Sequence, residues 1–92
     1  MIVRILGEGQ LEVPESAADE LNELDRAVET AVDNEDEAAF GPALAALLAR
    51  VRAVGSPVRA DDLRPSELIL PQPDATIAEV RKLLTDEGLI PG

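Results

Sequence analysis

Carboxylates are the side chains in this sequence that invite a chemical reading. Residues 15–37 carry ten of them (Glu15, Asp19, Glu20, Glu23, Asp25, Glu29, Asp33, Glu35, Asp36 and Glu37) against the single base Arg26, which places −9 of the net −11 in one stretch. Such a density can bind a cation, do acid–base work, or present a field. A metal site is not expected. Asp33–Glu37 resembles the start of a calcium loop, but Ala38 stands where that loop turns on glycine, and the spaced terminal Glu is missing. Two carboxylates can also hydrolyse a glycoside. Such sites want aromatic platforms and a deep cleft, and this chain has one aromatic residue, Phe40. It has no His, hence neither the usual base near neutral pH nor a Ser-His-Asp or Cys-His arrangement. With no Cys there is no thiolate, disulfide or zinc–sulfur site. Gly7-Glu8-Gly9 is a poor phosphate loop: it lacks a third glycine, leads into a strand pattern, and Glu8 repels anions. The sequence therefore predicts a non-enzymatic protein without cofactor or metal.

The third option, a field, has a definite face. On a helical wheel Asp19, Glu23, Glu29 and Asp33 lie opposite an apolar stripe. Asp19–Glu23 and Glu29–Asp33 are like-charge pairs four apart, each costing the helix a few tenths of a kcal/mol. The face reads either as a solvated surface or as a docking site that steers a basic partner. A second surface follows in the sequence. Ala45, Ala46, Ala49 and Ala53 lie opposite a Leu/Val stripe. They express helix propensity, or they let a third helix from a partner or a second copy approach closely. The candidate partner-binding residues are thus Asp19, Glu23, Glu29, Asp33, Ala45 and Ala49. The net charge of −11 argues against direct binding of nucleic acid or an anionic membrane.

The elements that must position these residues can be read from periodicity. Ala17, Leu21, Leu24, Val28 and Ala31 recur at steps of four, three, four and three, as do Phe40, Leu44, Leu47, Val51 and Val54. The link near Asp33–Asp36 is a few residues long, so the two helices form an antiparallel hairpin, stripe against stripe. Ser16 is the expected N-cap of the first helix and Asp36 of the second. Gly41-Pro42 predicts a kink, or a short turn at 36–40 before the main helix. Gly55 predicts its end. Ahead of the helices, Ile2–Leu6 and Gln10–Val13 read as strands joined at Gly7-Glu8-Gly9. Beyond them, Ser56–Pro65 reads as a loop, and Leu68-Ile69-Leu70 as a third strand beside Ile2–Leu6. Thr76-Ile77-Ala78-Glu79 fits a capping box. It opens a third helix with stripe Ile77, Val80, Leu83 and Leu84, which Gly88 ends, and Leu89-Ile90 forms an apolar tail. The expectation is an α+β fold of order ββααβα. A small three-stranded sheet, the N-terminal β-hairpin plus one later strand, is covered by an antiparallel helical hairpin and a C-terminal helix. Residues 1–92 form a single domain. The apolar run of MIVRILGEGQ is too short for a signal peptide, and no run approaches the ~20 residues that span a bilayer. A soluble cytoplasmic protein is expected.

MIVRILGEGQLEVP at the start, DEAAFGPALAALL in the middle and SELILPQPDATIAEVRKLLTDEGLIPG at the end resemble the PspA-associated protein family. These are small bacterial accessory proteins of the phage-shock protein A envelope-stress system. The most specific parts are the ILGEGQ turn with its following VP and the closing EGLIPG. The resemblance implies a PspA-like coiled-coil partner at the membrane, recruitment to the inner face of the membrane by that partner, and no catalytic residues. The expected function is an accessory interaction module that binds such a protein through an acidic helical hairpin. The alternative is an acidic nucleic-acid mimic that blocks a DNA- or RNA-binding protein.

Overall fold

The computed structural model describes residues 1–59, 65, 66 and 68–82. Ile2–Ile5 (β1) runs antiparallel to Gly9–Glu12 (β2), with Val3 opposite Leu11 and Arg4 opposite Gln10. The turn between them needs positive φ at Gly7 (+86°) and Gly9 (+104°). A Cβ at either would meet none of the described residues within 4 Å, so conformation asks for glycine there.

The chain then enters a 3-10 turn at Glu15–Ala17 and an α-helix at Ala18–Asp33 (α1). Ser16 is not the N-cap. The cap is Ala17, without a side-chain hydrogen bond. The chain is already turning from Pro14, whose carbonyl accepts from the Ala17 N–H at 3.0 Å, so Ser16 is never the last extended residue before the helix. After α1, Glu35 takes a left-handed φ of +51°. The N–H groups of Glu35 and Asp36 donate back to Val32 and Ala31 at 3.1 and 2.9 Å, which closes the helix end.

Glu37–Val54 (α2) follows, and the Asp36 side chain accepts from the Ala39 N–H at 3.2 Å as expected of an N-cap. Of the two outcomes expected at Gly41-Pro42, the short turn at 36–40 is not formed: α2 is continuous through it. Both costs of proline are small at this place. Gly41 has no Cβ for the Pro42 ring to strike, and the acceptor left over is the carbonyl of Ala38, an exposed residue that water can reach. Gly55 ends α2 at φ −87°, a conformation open to any residue. It is glycine for room: a Cβ there would stand 2.8 Å from the Val51 carbonyl oxygen and 3.1 Å from Leu11 Cβ.

Among the described residues the sheet has four strands where three were expected. Ser56–Pro57 (β3), inside the stretch read as loop, pairs antiparallel with β2, with Leu11 opposite Pro57. Two residues carry no periodicity, and proline discourages a strand reading except at an edge, which is where β3 lies. Leu68–Leu70 (β4) pairs parallel with β1 on its other side, as expected, so the order is β3-β2-β1-β4. The last described element, Ile77–Arg81 (α3), opens with the expected capping box between Thr76 and Glu79. The readings of Leu83, Leu84, Gly88 and the Leu89-Ile90 tail lie outside the described residues. The class is α+β.

Both helical stripes face the sheet side of one core. Leu21, Val28 and Ala31 of α1 and Phe40, Leu44, Leu47 and Val51 of α2 are buried with Val3 and Ile5 of β1, Leu70 of β4, and Ile77 and Val80 of α3. Val3 and Ile5, two apart on a strand, point to the same face. Fully burying such a side chain is worth about 1.5–3 kcal/mol, so these contacts hold α1 and α2 in register. That register fixes the shape of their outer surface.

Candidate functional site

α1 and α2, joined by a tight link, lie side by side. Between them on the outer surface runs a groove of about 580 Å³. Leu24 with Ala46, Ala49 and Ala53 give it an apolar lining, and Glu20, Glu23 and Arg50 give it charge. The local reasons are simple. Steps of three and four bring Ala46, Ala49 and Ala53 to one side of α2, and methyl side chains leave the space empty. Leu24 sits at the margin of the α1 stripe and is half-buried. Glu20 and Glu23, three apart, form the α1 wall.

The six candidate residues divide. Glu23 and Ala49 line the groove, whereas Asp19, Glu29, Asp33 and Ala45 do not. Asp19, Asp33 and Ala45 are exposed elsewhere on the hairpin, and Glu29 is half-buried. Asp19, Glu23, Glu29 and Asp33 form no ion pair among the described residues. The acidic surface is nevertheless thinner than the sequence count of ten. Asp25 is buried, only 2% exposed. The pattern carried a sign of this, because Leu21, Asp25, Val28 and Val32 stand at steps of four, three and four and share the inner face. Glu20 pairs with Arg50 across the groove. Glu35 pairs with Arg81 at 3.1 Å, and the same guanidinium donates to the Val32 carbonyl at 3.1 Å, placing a cation at the negative end of α1. Asp36 is engaged as a cap. The Asp36 cap was expected, but the Glu20–Arg50 and Glu35–Arg81 pairs were not, because each joins residues 30 or more apart on elements whose mutual packing no local period reveals.

The glycine turn is tied down as well. Arg52 Nε donates to Glu8 at 2.7 Å, and a second guanidinium nitrogen reaches the other carboxylate oxygen. The paired guanidinium holds the Glu8 carboxyl below its usual range, chiefly through the hydrogen bond, and raises Arg52 in turn. Glu8 thus fastens the β1–β2 turn to the last turn of α2. Beside the same sheet, the Ser66 hydroxyl accepts from Gln10 at 2.6 Å and Arg4 at 3.3 Å.

Chemically, the groove can seat a side of another helix. Among the described residues no three carboxylates converge into a metal-holding group, and no helix is long and apolar enough to cross a membrane. No curated protein and no solved structure matches the chain significantly. The chain belongs to the PspA-associated protein family, whose model matches residues 1–92.

Proposed function

We propose that this member of the PspA-associated family is an accessory module that binds a PspA-like coiled-coil protein through its helical hairpin. The family name points to a role linked to PspA. The reading rests on one observation: the outer surface of the hairpin is a groove with an alanine floor and a carboxylate wall, and among the described residues only α1 and α2 line it. On this reading a PspA-like partner meets anionic lipid through basic amphipathic helices. The acidic hairpin competes with the membrane for that basic surface, and Asp19, Glu29 and Asp33 contribute field and not contact.

Two measurements test it. The protein should co-purify with PspA at about 0.1 M salt and be released near 1 M, where the Debye length falls from about 10 Å to about 3 Å. It should also change the fraction of PspA that sediments with anionic vesicles. If neither happens, the proposal fails. Recovery of a nucleic-acid-binding protein in place of PspA from an unbiased pull-down would favour the mimic reading instead.

A further inference from the structure

We infer that the groove takes a single amphipathic helix of its partner, basic along one edge only, and that Arg50 is a built-in cation which this helix displaces from Glu20. The inference rests on the reading above and specifies the occupant. Three features of the groove carry it. Its floor, Ala46, Ala49 and Ala53, spans eight residues of α2, whose seven rises of 1.5 Å make about 10 Å, or two turns of a docked helix. Helices that meet through alanine approach at the short end of the usual 8–10 Å axial spacing, so a helix fits where a bulkier element does not. The walls differ in sign. Glu20 and Glu23 line the α1 side, while the α2 side offers Arg50. An occupant with bases on both edges would set one row against Arg50, whereas bases on one edge meet Glu23 and Glu20 directly.

Charge complementarity at Glu20 is already satisfied from within. Arg50 reaches across and pairs with it, and both side chains remain about half exposed, at 46% and 51%. An exposed pair of this kind is worth about 0–1 kcal/mol, so a partner's lysine or arginine can replace Arg50 at small cost. Arg50 therefore keeps Glu20 matched while the groove is empty and lowers its affinity for any basic helix. Glu23 has no ion pair among the described residues and is free to make the first contact.

The test is a titration of purified full-length protein into purified PspA. The wild type is compared with Arg50→Gln, Glu20→Gln, the double variant, and Arg26→Gln. Arg26 is exposed on α1 outside the groove, so its variant makes the same change in net charge and reports the general field. Arg50→Gln should tighten binding by about two- to fivefold over wild type, beyond any gain shown by Arg26→Gln. In the Glu20→Gln background that extra gain should vanish, because no carboxylate is left to release. If Arg50→Gln binds PspA no better than Arg26→Gln, the displacement idea is wrong while the proposed function stands. If no variant and not the wild type binds PspA, it is the proposed function that fails. Circular dichroism confirms the fold of each variant, which the half-exposed positions should leave unchanged.

Discussion

Ala49 is the position at which packing and charge can be separated. It lies in the second half of α2, exposed, between Ala46 and Ala53 on the floor of the groove. Arginine is nearly as good a helix former as alanine, so Ala49→Arg should alter stability by no more than a few tenths of a kcal/mol. Its long side chain fills the space a docked helix would need, and its cation opposes a basic partner. A central position of this kind is worth about 2 kcal/mol or more to an interface, which corresponds to about a 30-fold rise in Kd for PspA. Ala49→Glu separates the two causes. It blocks the same space but adds negative charge, which at a surface returns about 1 kcal/mol at most. Binding should therefore still weaken, by about fivefold. The assay is calorimetric or fluorescence titration against PspA at about 0.1 M salt, with urea midpoints to confirm that both variants are folded. If Ala49→Glu binds as tightly as the wild type or more tightly, the alanine floor is not in contact and only the field remains. If Ala49→Arg also binds normally, the groove is not the interface.

Three predictions concern the fold that shapes the groove. Leu47→Ala, at a position with no exposure, should cost about 2–5 kcal/mol and lower Tm by about 8 °C or more, and a smaller loss would show that the stripe is less tightly packed than described. Gly55→Ala places a Cβ 2.8 Å from a backbone oxygen. The overpacking, about 1–3 kcal/mol, should exceed the ~0.4–1 kcal/mol gained in the unfolded chain, so the urea midpoint should fall, and a rise would refute the close approach. Arg52→Gln removes the partner that lowers Glu8. A carboxylate whose folded pKa lies below its ordinary 4.5 stabilises the fold above that value, and the stabilisation is lost as pH falls through the lowered one. The Tm gap between wild type and Arg52→Gln should thus be present at pH 6–7 and shrink toward pH 3, and a gap independent of pH would show that the pair does not couple to folding.

The parts of this protein that were legible from its sequence are those set by local period and local chemistry. The hairpin stripes, the cap at Asp36 and the capping box at Thr76–Glu79 are each built from residues that recur within four positions of one another, whereas Gly55, though read as the helix end, is glycine partly because of Leu11 far along the chain. The parts that were not legible depend on distance or on small size. β3 is two residues long, so no alternation could announce it. The continuity of α2 through Pro42 is helped by Gly41 lacking a Cβ, where a rule for proline alone allows a short turn ahead of the main helix. The ten carboxylates of residues 15–37 overstate the exposed acid, because charge sums along the chain while burial follows the wheel. Asp25 obeys the spacing of Leu21, Val28 and Val32 and goes inside with them.

The same contrast explains why the groove, and not the carboxylate face as a whole, carries the functional reading. A face made by one helix is a property of composition, and an acidic sequence will always show one. A groove needs two helices held in register by a shared core, with small residues on one wall set opposite acids on the other. Glu23 and Ala49 come from two patterns that were read as separate surfaces, and the core of Leu21, Val28, Leu44, Leu47 and Val51 is what joins them into one. Loosening that core should therefore weaken partner binding even in variants that leave every groove residue in place. A core variant such as Val28→Ala that opens the α1–α2 contact, as faster amide exchange along both helices would report, yet keeps full affinity for PspA would show that the interface forms on α1 or α2 alone, without the register between them.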